Sequence, residues 1–74
     1  MAFNVKEELG RVEKKNASFY RFTSAEASGK DYIDVREYFE RKDGTLQHTS
    51  KGMSVPKERF MDFAREAMRV ASEL

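Results

Sequence analysis

Two stretches of this chain carry side chains suited to chemistry. Along Lys30-Asp31-Tyr32-Ile33-Asp34-Val35-Arg36-Glu37-Tyr38-Phe39, aromatic and basic residues are interleaved in one extended run, and twelve residues after it stands Lys51-Gly52-Met53-Ser54-Val55. Unpaired nucleobases stack on aromatic faces while their phosphates need cations spaced along a groove, so a strand that interleaves the two serves both. Blander readings stand beside this one. Phe39, following Tyr38 at a strand end, also suits an apolar core, which is where most aromatics go. Arg36 alternates away from Ile33 and Val35 and faces open surface if those two face inward. It can equally pair with Asp34 or Glu37, a contact worth about 0–1 kcal/mol when exposed. Strict alternation puts Phe39 on the Ile33 side, so a twist or bulge is needed to bring it beside Arg36. Lys51-Gly52 reads either as an ordinary bulge or as a place where a phosphate approaches backbone N–H groups beside a lysine.

Signals for catalysis are close to absent. Gly10, Gly29, Gly44 and Gly52 are isolated, so no glycine-rich phosphate loop is formed, and there is no cysteine nucleophile. His48 has no fixed acidic partner in the sequence. Asp31 and Asp34, three apart on a strand, point to opposite faces and do not form a carboxylate pair. A single histidine without cysteines makes no zinc site. No catalytic residue, metal or cofactor is expected. Arg11, Lys14-Lys15 and the Arg41-Lys42 pair read first as solvated surface.

The elements that must hold these residues are few. At 74 residues the chain reads as one domain, 1–74, too small to bury a large core. With no cysteine to supply disulfides, oligomerisation is the supplement left. The charged fraction of 36% is high, yet 14 basic and 13 acidic residues leave only +1, so long-range attraction to a polyanion is not encoded and any nucleic-acid site must be local. No apolar stretch approaches the roughly 18 residues of a membrane helix. Within Met1 to Gly10, Lys6, Glu7 and Glu8 interrupt what a signal peptide would keep apolar. The chain reads as intracellular with no membrane partner, in the cytoplasm or nucleoid of a bacterial or viral source and in the nucleus of a eukaryotic one.

Four extended segments are expected. The first lies within Val5 to Lys15, where Val5, Leu9 and Val12 are apolar, though its Glu-Glu-Leu core also suits a helix. The second is Ser18 to Ser24, the third Tyr32 to Glu40 and the fourth Leu46 to Val55, with turns at Ala27-Ser28-Gly29-Lys30 and at Asp43-Gly44. Pro56 suits the first position of a helix that then runs to Leu74. On it Phe60, Met61, Phe63, Ala64, Ala67, Met68, Val70, Ala71 and Leu74 fall on one arc of about 180°, wider than the roughly 100° that packing on one sheet needs. The expected class is α+β: a four-stranded curved antiparallel sheet followed by one C-terminal helix that covers one sheet face, with the other face open. The surplus of the arc, with Phe60, Ala64, Ala67, Met68 and Ala71, suits a dimer contact, while close packing on the sheet explains the alanines as well.

The chain resembles the single-stranded-DNA-binding domain of the positive cofactor four family of transcriptional coactivators. Asp34-Val35-Arg36-Glu37-Tyr38-Phe39 and Lys51-Gly52-Met53-Ser54-Val55 match its two motifs at the right spacing, and Phe60 falls where the family has a bulky aromatic. The resemblance covers about Gly29 to Phe63. It implies a homodimer, assembled through helix and sheet, with curved channels for single strands. It also implies that Lys30 contacts the DNA backbone, Arg36 lies in the groove, Phe39 stacks and Lys51 meets a phosphate. Gly52 belongs to the same motif. Phe39 stands where the family usually has tryptophan, and Ala27, Ser28 and Ser50 replace aromatic and basic residues, which implies weaker or salt-sensitive binding unless Arg21, Phe22 or Lys42 compensates. The eukaryotic members' Ser-rich N-terminal region has no counterpart here, which suggests a bacterial or viral member. The implied function is sequence-tolerant binding of single-stranded DNA in replication, recombination, repair or transcription, with RNA sharing the same stacking chemistry. The rival reading is a protein-interaction module that recruits a polymerase or replication protein.

Overall fold

Four strands follow one another as an antiparallel meander in the spatial order β1-β2-β3-β4. They are β1 (Asn4–Glu13), β2 (Ser18–Ala27), β3 (Lys30–Glu40) and β4 (Leu46–Pro56), and a single 3-10 turn, Lys57–Arg59, leads into α1 (Phe60–Ala71). This computed structural model describes residues 4–74, so the first three residues of the Met1–Gly10 segment lie outside it. The expected class, α+β with a four-stranded antiparallel sheet followed by one C-terminal helix, is the one observed.

Local chemistry sets the turns. Ser28 and Gly29 both take positive φ, 53° and 76°, and join the paired residues Ala27 and Lys30 as a two-residue hairpin of the primed kind. Between β3 and β4, the Asp43 carboxylate accepts from the Thr45 amide at 2.9 Å and its hydroxyl at 2.7 Å, and Gly44 takes φ 88°. The β1–β2 turn uses Asn16 and Ala17 at φ 58° and 62°. For Ala17 that conformation costs about 1–2 kcal/mol. Hydrogen bonds from the Lys14 amide to the Ser18 carbonyl and from the Glu40 amide to the Ala17 carbonyl offset it.

The segment that was open between strand and helix is a strand with two irregularities. Its pairing with β2 shifts between Val5 and Glu7 and again between Glu8 and Gly10, so Lys6 and Leu9 are bulged. Val5, Leu9 and Val12 therefore share no face, which is why their spacing carries no clean period of two. Pro56 differs from its expected place at the start of the helix. At φ −53° and ψ 137° it is extended, closes β4, and leaves the 3-10 turn between itself and Phe60. The fixed φ of proline suits both states, and ψ decides between them.

The sheet curls. Val5 on β1 and His48, Thr49 and Ser50 on β4 line one concavity of about 530 Å³ together with Asp34, Arg36 and Tyr38. In a flat sheet the two edge strands would be three spacings, roughly 14 Å, apart. Curling buries the inner face without a second layer: Thr23 is 0% and Ala25 1% exposed. Phe19, Ala27, Asp34 and Tyr38 are buried on the same side. The outer side carries Phe22, Ile33, Val35 and Met53.

The helix was expected to cover a sheet face, and it does not. Phe60 meets Phe22 edge-on at 6.4 Å and stacks with Phe63 at 5.9 Å. Beyond that first turn α1 leaves the sheet with no buried residue, and Met61, Met68 and Val70 lie exposed. The alanine stripe is thus not packed on the chain's own sheet. An amphipathic arc states that a helix needs an apolar surface, while the path of the chain after Pro56 decides which surface it reaches.

Gly52 is pinned by its neighbours rather than by its φ. A Cβ there would stand 2.5 Å from the Val35 carbonyl oxygen and 2.7 Å from the Arg36 Cα. Of the readings open for Lys51-Gly52, the structure has a bulge and a close approach of β4 to the β3 backbone. Gly52→Ala is therefore expected to destabilise the fold by about 1–3 kcal/mol, the usual cost of overpacking. Urea unfolding of the two proteins checks this, with an unchanged midpoint counting against it.

Candidate nucleic-acid interface

The inner face is organised by one carboxylate. Asp34, 2% exposed, accepts hydrogen bonds from Arg36 Nε at 3.1 Å, Arg36 Nη2 at 3.0 Å and Ser54 Oγ at 2.7 Å. Arg36 also donates through Nη1 to the Thr49 carbonyl at 3.4 Å. Its pKa is raised above the ordinary value, chiefly by the Asp34 hydrogen bonds. Arg36 thus faces the concavity and is also paired, so the two readings open for it hold together.

Toward β1 the same face carries two more guanidinium groups over aromatic rings. Arg11 Cζ lies 4.1 Å from the Phe19 ring centroid and Arg21 Cζ 4.9 Å from that of Tyr38. Phe19 and Tyr38 are themselves stacked at 6.1 Å and 11°, and Tyr38 meets His48 edge-on at 6.3 Å. Cations over ring faces gain about 0.5–1 kcal/mol at exposed sites and more when desolvated. Glu8 bridges the two arginines at 2.7 Å each. Their hydrogen bonds, Arg11 first, lower the Glu8 pKa from its ordinary 4.5 to about 2.

The outer face has a different character. Tyr20 and Phe39 are diagonal neighbours there, both about 40% exposed. Lys14 Nζ sits 5.0 Å from the Tyr20 ring centroid and 2.7 Å from Glu37, whose pKa it lowers. Lys51 lines the same surface with Tyr20, Glu37, Met53 and Phe63. Lys51 belongs to the β4 bulge, in which Thr49, Ser50 and Lys51 stand opposite Glu37 alone. Thr49 staples that bulge, donating its hydroxyl to the Glu37 carbonyl at 3.0 Å and accepting from the Lys51 amide at 3.1 Å.

The expected contact residues are therefore divided. Lys30, Arg21 and Arg36 share the inner side. Phe22 and Phe39 stand on the outer side, Phe22 against the helix, and Lys51 lines that side near the β4 edge. Lys42 sits in the β3–β4 loop, and Gly52 is wedged against the backbone of Arg36. β3 pairs with β2 without a register shift, so the twist that would carry Phe39 beside Arg36 is not there. Tyr38, one residue earlier, is the aromatic on the Arg36 side. Sequence reasoning missed Glu8, Arg11, Phe19 and His48. Three-residue spacing in a strand separates Glu8 from Arg11, and only the bulge at Leu9 unites them. Phe19 was legible through its alternation with Arg21. Among the described residues no group of three or more His, Cys, Asp or Glu is placed to hold a metal ion, and no helix is long and apolar enough to cross a membrane.

The Glu8 shift fixes the sign of an acid effect. A carboxylate with a depressed folded pKa contributes stability above its ordinary pKa and loses it as pH falls through the folded value. The difference in melting temperature between wild type and Glu8→Gln should therefore be constant above about pH 4.5, narrow as the pH falls, and close near pH 2. Thermal unfolding across that range measures it, and a gap that does not narrow contradicts the clamp.

Comparisons with known proteins place this geometry. The family described as Transcriptional Coactivator p15 (PC4) matches residues 14–65. Among solved structures, a PC4 homolog from Burkholderia pseudomallei is similar with a TM-score of 0.85 and 22% identity over the whole of both chains, a likeness of fold. No curated protein matches the chain. The resemblance read in the third strand and the Lys51-Gly52 motif lies inside the matched region, which spans more than half of the 74 residues, and the chain belongs to the PC4 family of transcriptional coactivators.

Proposed function

We propose that this protein binds single-stranded DNA with little regard to sequence, as a homodimer and without catalysis, in replication, recombination, repair or transcription. The observation that carries this reading is the curled inner face, where Arg11, Arg21 and Arg36 lie among Phe19, Tyr38 and His48. Unpaired bases offer planar faces to such a surface, whereas a duplex exposes only base edges in its grooves. Lys30 on the inner side, Lys42 in the β3–β4 loop and Lys51 on the outer side near the β4 edge make no ion pair among the described residues, which leaves them available to phosphates. At the β4 bulge the inner and outer sides meet, so a strand crossing that edge passes from Arg36 to Lys51 and Phe39.

Fluorescence anisotropy of a labelled oligothymidine and of the matching duplex, titrated at several salt concentrations, tests the reading. Preferential single-strand binding with a negative salt slope is expected. Phe39→Ala should weaken binding by about 1–3 kcal/mol for a stacked base lost. Lys51→Ala should flatten the slope of log K against log salt by about 0.7. Absent or equal binding would favour a protein partner, such as a polymerase or replication protein, for the same surface. RNA is compared in the same assay.

The dimer part of the proposal rests on the uncovered arc of α1, with Phe60, Ala64, Ala67, Met68 and Ala71 as the contact. Sedimentation equilibrium should give twice the 8.6 kDa chain mass for wild type and a monomer for Ala67→Glu. A monomeric wild type at assay concentrations would remove the dimer from the reading.

A further inference from the structure

Glu8 does more than neutralise a neighbour. The bulge at Leu9 puts Glu8 and Arg11 on one side of β1, facing Arg21 on β2. Glu8 Oε1 accepts from Arg11 Nη2 and from Arg21 Nε, both at 2.7 Å, while Oε2 accepts from Arg11 Nε at 3.1 Å. Each guanidinium carbon is thereby held over a ring, Arg11 over Phe19 and Arg21 over Tyr38, while its N–H groups bond to the carboxylate. Glu13 and Glu40 add negative potential at Arg11. Each group keeps the guanidinium surface turned away from its ring and the N–H groups that Glu8 does not take, and the side chains stay partly open, 36% for Arg11 and 20% for Arg21. A guanidinium plane is a stacking surface for an unpaired base.

We propose that Glu8 is a positioning residue that turns Arg11 and Arg21 into charge-compensated stacking plates, so that the β1 side of the inner face takes nucleobases while phosphates go to Lys30, Lys42 and Lys51. The inference rests on the single-strand reading above. It divides the site by chemistry: a partly charge-compensated half beside β1, and lysines at the β2–β3 hairpin, the β3–β4 loop and the β4 edge. Without the carboxylate, both guanidinium groups lose their anchor, and their N–H forks are free to take phosphates.

The test compares oligothymidine with an abasic oligonucleotide of the same length, for wild type, Glu8→Gln and Arg21→Lys, over a range of salt. Wild type should prefer the base-bearing strand. In Glu8→Gln the preference should fall by about fivefold or more for each base no longer stacked. Its salt slope should steepen by about 0.7 for each arginine released to a phosphate. Arg21→Lys keeps the charge but loses the plane, so it should lower the base preference without flattening the slope, and it decides the matter if Glu8→Gln does not fold. A Glu8 that served stability alone would shift the melting temperature and leave base preference and slope as in wild type, which would overturn the inference while single-strand binding stood. A wild type that bound neither strand would overturn the single-strand reading and this inference with it.

Discussion

An antiparallel sheet with no layer packed over its inner face must bury that face against itself, and the site of this protein follows from how that is done. Small residues on the inner side of β2, Thr23, Ala25 and Ala27, let the sheet bend tightly at one end, while Phe19 and Tyr38 fill the other. Gly52 lets β4 lie directly on the β3 backbone, and bulges turn both edge strands, β1 at Lys6 and Leu9 and β4 at Thr49 to Lys51. Those bulges also break the flat row of amides and carbonyls that an edge would otherwise present for pairing with another chain. An inner face enclosed in this way traps polar groups. Asp34 tolerates burial because two guanidinium nitrogens and a hydroxyl bond to it, whereas the Thr23 hydroxyl opposite it has no partner among the described side chains.

The near-zero net charge of the chain has a local counterpart. Arg36 faces Asp34, Arg11 and Arg21 share Glu8, and Lys14 faces Glu37. Paired exposed charges contribute little to stability, but they fix where long side chains lie. The result is a surface whose character is set by planes and hydrogen-bond geometry more than by potential. Attraction over distance falls to the cations that make no ion pair among the described residues, Lys30, Lys42 and Lys51 among them, and salt screens it beyond about 8–10 Å.

The helix is the other consequence of the missing layer. A helix of twelve residues is marginal in isolation, and α1 meets the sheet at its first turn, where Phe60 lies against Phe22 and Phe63 stacks on Phe60. Arg69 ties Glu66 and Glu73 along its polar side at 2.7 and 2.8 Å. Such pairs are worth a few tenths of a kcal/mol each, so the polar side by itself adds little to the order of the helix.

Much of this was legible from the chain alone wherever the chemistry is local. Ser28-Gly29 and Asp43-Gly44 marked their hairpins because few residues take positive φ, and alternation in β3 put Ile33 and Val35 opposite Arg36 because a strand has period two. The two motifs that carry the family are contiguous runs, read without any fold. The rest was decided across strands. Whether Glu8 meets Arg11 depends on one bulged residue, which side Phe39 takes depends on the absence of a shift in β3, and whether Pro56 starts a helix depends on ψ. The sequence by itself determined the second to fourth strands, the two turns that join them and the chemical kinds of residue at the site. Only the tertiary structure decided which of them share a face and what the helix covers, because register, curl and chain direction are set by contacts between segments far apart in the chain, and local preference is blind to those.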